Sequence, residues 1–270
     1  MTTETTDCKD CTLAELMIVA CSEAWRGDGE VLASGITTVP RLGASLAKLT
    51  HSPELLMTDS ETFLVSEPVP LGARGDYVAK FEGYMSFDRV FECVWGGKRH
   101  AMIGPTQIDR FGQSNLSCVG PDYTKPKSAV LGVRGLPGNN INHANSYFVP
   151  NHGPRVFVAN EVDMVSGPGY NPARLQPGMK SFVDLRLIVT DLCVMDFKGP
   201  DHAIRVRSLH PGVSFDQVQA ATGFPLLKAD GLGETPLPTA EQLEIIRRLD
   251  PHNLRGMIVK NNPPAIREAA

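Results

Sequence analysis

The stretch that decides the reading of this chain is Val130-Leu131-Gly132-Val133-Arg134-Gly135-Leu136-Pro137-Gly138-Asn139-Asn140-Ile141-Asn142-His143. The apolar run 129–131 leads into it and predicts a short buried strand. Gly132, Gly135 and Gly138 then fall within seven residues. Glycine reaches positive φ without a steric penalty, so the spacing predicts a sharply turning loop. Such a loop brings main-chain N–H groups close to a substrate atom, and preorganised backbone donors stabilise a developing oxyanion. The same glycines also suit a tight turn with no chemistry. The spacing is G-x-x-G-x-x-G, which is not the G-x-G-x-x-G fingerprint of a dinucleotide site.

Working outward, composition sets bounds. The chain has 270 residues, 42% hydrophobic and 21% charged, with net charge −4. That balance builds a core without help from metal or disulfide. No basic run points to nucleic acid or an anionic membrane surface. No apolar run approaches the ~20 residues of a membrane span. The opening Met1-Thr2-Thr3-Glu4-Thr5-Thr6-Asp7 is polar and acidic, unlike a secretory signal, so a cytoplasmic protein is expected. Among six cysteines only Cys8 and Cys11 form a C-x-x-C pair. With no second pair for zinc and no preceding strand for a redox motif, no metal or redox role is expected.

The periodicities predict helices over 12–25, 40–49, 87–95, 215–222 and 239–249, the first and last opened by capping boxes at Thr12/Glu15 and Thr239/Gln242. Strands are predicted at 30–33, 55–58, 101–103, 155–158, 162–165 and 203–209, with a pair in 184–197 turning at Thr190-Asp191. The alternation predicts an α/β fold with a mainly parallel sheet flanked by helices and β-hairpin additions. One domain is expected over 12–258, between tails at 1–11 and 259–270.

Ligands of open α/β sheets gather at carboxyl strand ends. Three such ends carry polar residues here. The first delivers Asp59 and Glu61, which serve either as reacting carboxylates or as partners of an arginine. The second delivers Gln107 and Asn115, which either touch substrate or satisfy buried backbone groups. The third is the glycine loop, with Gly132, Gly135 and Gly138 as oxyanion donors. Asn139 and Asn140 contact substrate or shape the turn. His143 is a substrate contact or a structural histidine. Arg134 pairs with a phosphate, a substrate carboxylate or an acidic neighbour.

Several short segments stand out in order along the chain: Gly43-Ala44-Ser45-Leu46-Ala47-Lys48, Gln107-Ile108-Asp109 with Phe111-Gly112 and Asn115, Ser166-Gly167-Pro168-Gly169, Val189-Thr190-Asp191, and Thr222-Gly223-Phe224. In order and content they resemble the β subunits of class I CoA-transferases, the glutaconate type in particular, over 13–249. The resemblance implies a CoA thioester substrate, with CoA entering as part of that substrate and no bound cofactor. It also implies attack by a glutamate carboxylate, an oxyanion loop at 132–138, and an α subunit of the same fold in an α2β2 heterotetramer. The transferase nucleophile precedes a glycine, whereas here the segment is Thr58-Asp59-Ser60-Glu61-Thr62. The runs 82–92 and 95–100, Asn142-His143 with Ser146-Tyr147, and Asp196-Phe197 with Gly199-Pro200-Asp201-His202 resemble more narrowly the β subunits of bacterial steroid-ring-cleaving hydrolases. In those enzymes the key glutamate is attributed to the α subunit. That resemblance implies hydrolytic, retro-Claisen opening of a cyclic CoA thioester in steroid C/D-ring breakdown. The alternatives are a CoA-transferase using Asp59 or Glu61, and a non-catalytic acyl-CoA sensor.

Overall fold

The computed structural model describes residues 10–59 and 63–267. In chain order the elements are α1 (Leu13–Ser22), β1 (Leu32–Gly35), α2 (Thr38–Leu49), β2 (Thr58–Asp59), β3 (Phe63–Val65), β4 (Phe81–Tyr84), α3 (Phe87–Trp95), β5 (Arg99–Ile103), β6 (Gln107–Ile108), β7 (Ser114–Asn115), β8 (Cys118–Val119), β9 (Ser128–Ala129), α4 (Leu136–Asn142) and β10 (Ala144–Val149). They continue with β11 (Leu185–Thr190), β12 (Cys193–Asp196), β13 (Arg205–Leu209), α5 (Phe215–Ala220), β14 (Leu227–Glu234) and α6 (Ala240–Leu249).

A seven-stranded sheet in the order β1-β5-β10-β11-β12-β13-β14 forms the centre. Its β1-β5, β5-β10, β10-β11 and β13-β14 pairings are parallel, and β12 runs antiparallel to both neighbours. Smaller antiparallel sheets, β2-β3-β4, β6-β7 and β8-β9, are attached at its margins. One core cluster packs α1, α2 and α6 on the sheet, and a second fills the opposite face around Tyr147, Phe157 and Ile188. This is the α/β architecture with hairpin additions expected from the alternation.

Both capping boxes form. The Thr12 N–H donates to Glu15 Oε2 at 2.9 Å, and the Thr239 N–H donates to Gln242 Oε1 at 2.9 Å. Helix α1 is buried on every face rather than amphipathic, because α2, α6 and the C-terminal segment enclose it. That burial includes Glu15, which takes Arg247 Nε at 2.9 Å and Arg255 Nη2 at 3.0 Å. Burial pushes the Glu15 carboxyl up, but the Arg247 and Thr12 bonds and the Arg255 charge prevail and hold it below the usual carboxylate range.

Several expectations are corrected. The run 129–131 is not a buried strand: Ser128–Ala129 pairs only with β8, and Val130 and Leu131 are 43% and 61% exposed. Residues 155–158 form a turn whose strand-like contact among the described residues is a bridge from Phe157 to Ile108 of the small β6-β7 sheet, and 162–165 is irregular. The C-terminal segment packs instead of trailing from 259. Val259 and Ala265 are buried, and the Ala265 N–H donates to Cys11 O at 2.8 Å. Two strands of the central sheet were not foreseen. Asn145 and Ser146 interrupt the apolar pattern of β10, the strand between β5 and β11, and Gly231 and Gly233 obscure the edge strand β14. Cys8 lies outside the described residues, and Cys11 is buried. Among the described residues no helix is long and apolar enough to cross a membrane.

Candidate active site

Strands β5 and β10 run side by side, and the chain leaves them at Gly104 and Pro150. A cleft of about 570 Å³ lies between these exits, lined among others by Thr106, Gln107, Asn151 and Arg155. It occupies the carboxyl end of the parallel strands, where the sequence placed the site.

A polar brace supports this end. Gln107 Oε1 accepts from Asn115 Nδ2 at 2.8 Å and from the Asp163 N–H at 3.0 Å, while Gln107 Nε2 donates to Asp163 Oδ2 at 3.1 Å. Asn115 Nδ2 also donates to Cys118 O at 2.7 Å, and its Oδ1 accepts the Ser117 N–H at 2.8 Å. Asn115 is wholly buried and its amide is fully used, so it is a brace and not a substrate contact. Gln107 shares the brace but lines the cleft as well.

The brace fixes the root of the glycine loop. The Val130 N–H donates to Ser117 O at 2.8 Å and the Leu131 N–H to Leu116 O at 3.1 Å. Gly132 and Arg134 then take φ of 82° and 48°. Alternating handedness of this kind turns successive N–H groups toward one side, as in an anion-binding nest. Among the described residues, none of the loop and turn hydrogen bonds uses the N–H of Gly132, Val133, Arg134 or Gly135. Arg134 is exposed and joins no ion pair among the described residues.

The second half of the motif differs from the expected open loop. Gly135 is the N-cap of α4, and Gly138 lies inside that helix, where its carbonyl accepts from Asn142 Nδ2 at 2.7 Å. The Asn139 carbonyl takes Asn145 Nδ2 at 3.0 Å. Asn140 is fully buried beside Ser114 and Tyr147. Its side chain lies inside the fold, where α4 closes on the second core. His143 sits at the far end of α4, about 10 Å from Leu136 at 1.5 Å per residue. It is buried, and its Nδ1 lies 2.9 Å from Ala144 O, so that nitrogen carries the proton. Burial pushes His143 down to about 4, so it stays neutral at pH 7. The structure therefore separates His143 from the glycine loop.

Gly167, in the Ser166-Gly167-Pro168-Gly169 turn, marks how tightly α4 is seated. A Cβ there would stand 2.6 Å from both Asn140 Oδ1 and Ser114 Oγ. Gly167→Ala is expected to cost about 1–3 kcal/mol by overpacking, read as a lower midpoint in urea unfolding. The Val189-Thr190-Asp191 and Thr222-Gly223-Phe224 segments also serve the fold. His152 stacks on Phe157 and bonds Thr190 Oγ1 at 3.1 Å and Thr222 Oγ1 at 2.9 Å. Those contacts hold the chain leaving β10.

Asp59 forms a separate grouping. It ends β2, is 7% exposed, and receives both Nη atoms of Arg74 at 2.7 Å. Arg41 lies alongside, donating to Thr58 O at 3.4 Å. A carboxylate gripped in a bidentate guanidinium pair is a weak nucleophile, which argues against the reacting role for Asp59. Glu61 lies outside the described residues.

One arrangement escaped the sequence reading. Asp28 Oδ2, His100 and Ser146 Oγ form a row, at 2.7 Å to His100 Nδ1 and 2.9 Å from His100 Nε2. The order resembles a hydrolase relay, but His100 and Ser146 are buried, and Ser146 Oγ accepts the Leu187 N–H at 3.3 Å. Burial pushes His100 down despite Asp28, so the row is a neutral-histidine clasp joining β5, β10 and β11. Nothing in the local spacing signals it, since its members come from distant segments.

No protein-family model matches the chain. The chain is 43% identical over 251 residues to the cholesterol ring-cleaving hydrolase IpdB subunit of Mycobacterium tuberculosis, covering 93% of this chain and 99% of that protein. The crystal structure of Rhodococcus jostii RHA1 IpdAB superposes with a TM-score of 0.84 at 44% identity, covering 92% of this chain and 98% of the other. Glutaconate coenzyme A-transferase from Acidaminococcus fermentans superposes with a TM-score of 0.76 at 25% identity, covering 92% and 98%. With these likenesses spanning the sheet, the brace and the loop alike, the chain belongs to the class I CoA-transferase family as a β-type subunit.

Proposed function

We propose that this chain is the β subunit of a cytoplasmic heteromeric hydrolase that opens a cyclic CoA thioester during breakdown of the steroid C and D rings, paired with an α subunit of the same fold as an α2β2 heterotetramer. The observation that carries the reading is the 43% identity, across 93% of the chain, to a cholesterol ring-cleaving hydrolase subunit. The glycine loop supports it. In the reaction, water adds its hydroxyl to a ring ketone. The adjacent ring C–C bond then breaks, and its electron pair passes to the carbon flanked by the thioester as an enolate. That carbon finally takes a proton, so one water is consumed and no oxidant is needed. The enolate oxygen is where negative charge develops, and the N–H groups of Gly132, Val133, Arg134 and Gly135 are the donors this chain offers it. Arg134 stands at the lip of the loop as a cation for a phosphate or carboxylate of the substrate, and Gln107 lines the cleft at the carboxyl strand ends. The proton-transferring carboxylate comes from the α subunit, in keeping with the pairing of Asp59 to Arg74.

The test is to co-express the chain with its α subunit and supply a cyclic β-keto acyl-CoA, following product by mass spectrometry. A ring-opened thioester heavier by one water is expected, and an unreacted substrate across pH 5–9 would refute the reading. A CoA-transferase reading predicts instead that borohydride traps an enzyme-bound thioester at Glu61, abolished in Glu61→Ala. Under the hydrolase reading no such adduct forms.

A further inference from the structure

Among the described residues, nothing covers an apolar stripe on helix α3. Phe87, Phe91 and Trp95 recur every four residues and are 67%, 52% and 68% exposed, with Phe91 and Trp95 stacked at 5.8 Å. Of the whole helix only Val94 is buried. An amphipathic helix of a monomer turns its stripe to the core, and here the stripe lies on the outside. The polar side is occupied by the Arg89–Glu92 pair at 2.7 Å. Immediately before α3, the sheet β2-β3-β4 carries a second aromatic group. Phe63, Phe81 and Tyr84 are 40%, 54% and 67% exposed, with ring centroids 4.9 and 5.6 Å apart.

We propose that these aromatic surfaces of α3 and the β2-β3-β4 sheet are the docking surface for the α subunit. The inference rests on the heteromeric reading above and adds the place of contact. Six half-exposed aromatic side chains, each with about 150–250 Å² to bury, offer roughly 700 Å² together. A stable interface needs about 800 Å² from each partner, so the aromatics alone nearly supply it. A bound acyl group is far too small to cover both elements. The position also fits a shared site. Helix α3 packs beside α4, which opens at the glycine loop, and the loop's Val130, Leu131 and Val133 are exposed as well. The sheet carries Asp59 on β2. A subunit seated here would border both groupings of candidate residues and exclude water from the oxyanion donors.

The test uses Phe91→Arg, Trp95→Arg and the double variant, each co-expressed with the α subunit, with Met257→Arg, at an exposed residue outside α3 and the β2-β3-β4 strands, as control. The isolated variants should unfold at the wild-type temperature, because the replaced rings touch no core. The double variant should raise the Kd for the α subunit at least 100-fold, and the control should leave it unchanged. In the wild-type complex, amide hydrogen exchange over 81–95 should slow at least tenfold on assembly, a readout that needs no variant. Wild-type affinity in the double variant, with unchanged exchange over 81–95, overturns the docking surface and leaves the heteromer intact. A wild-type chain that never assembles with an α subunit overturns the heteromeric reading itself. Loss of self-association alone, with the heteromer unaffected, assigns the stripe to a second copy and also overturns the proposal.

Discussion

Gly132→Val in the assembled enzyme is expected to lower kcat about 100-fold, the cost of displacing oriented groups by about 1 Å or losing one oxyanion donor. The cause is backbone geometry. Gly132 has φ of 82° and nothing stands within 4 Å of the position its Cβ would take, so the substitution meets no side-chain clash. A β-branched residue cannot hold that conformation cheaply, at about 1–2 kcal/mol, and relaxation of the loop turns the Val133 and Arg134 N–H groups away. Gly29→Val is the matched control, since Gly29 has φ of 66° and an equally open surround but lies at the amino end of β1. Both variants should lose similar stability in urea titrations, and only Gly132→Val should lose turnover. Equal activity in the two would mean that the loop is a turn and nothing more.

Glu15→Ala is expected to destabilise the fold by about 3–5 kcal/mol, because it strands Arg255, a 9% exposed guanidinium, beside the core. Asp250 remains with Arg255 at 3.0 Å and limits the loss. Calorimetry should show the melting temperature falling by about 10 °C, at roughly 2–4 °C per kcal/mol for a chain of this size. The sign of the pH dependence follows from the lowered Glu15 carboxyl. A folded-state value below the unfolded one contributes stability that is present above about pH 4.3 and lost as pH falls through the folded value. The gap between wild type and Glu15→Ala should therefore be widest at neutral pH and narrow below pH 4. A gap that widens on acidification would contradict the ion-pair account.

The architecture was legible where local chemistry agrees with the tertiary result. Thr12/Glu15 and Thr239/Gln242 announce helix starts that need no context, and the paired strands around Thr190-Asp191 follow from an apolar run long enough to be unambiguous. Strand β10 was hidden because Asn145 and Ser146 look like loop residues until their partners, the carbonyls of Asn139 and His143 and the ring of His100, are in place. The same reason explains the site. That the glycine loop would turn could be read from Gly132 alone, but the surroundings of Asn140 depend on Ser114 and Gly167, and those of Asn115 on Gln107, all from other segments of the chain. For Asp59 the sequence leaves a reacting carboxylate and an arginine partner both open, because Arg74 lies 15 residues away, beyond the reach of any local pattern.

The clasp between the two ends of the described chain bears on biosynthesis. The Ala14 N–H donates to Asn262 Oδ1 across 248 residues, and Leu13 is bonded to Pro263. Helix α1 thus leaves the ribosome about 12–50 s before its cover is made, at ~5–20 residues per second. Throughout translation helix α1, buried on all sides in the finished fold, waits without its lid, which makes the nascent chain a natural client for chaperones and makes a truncation before Asn262 damaging far from where it is placed.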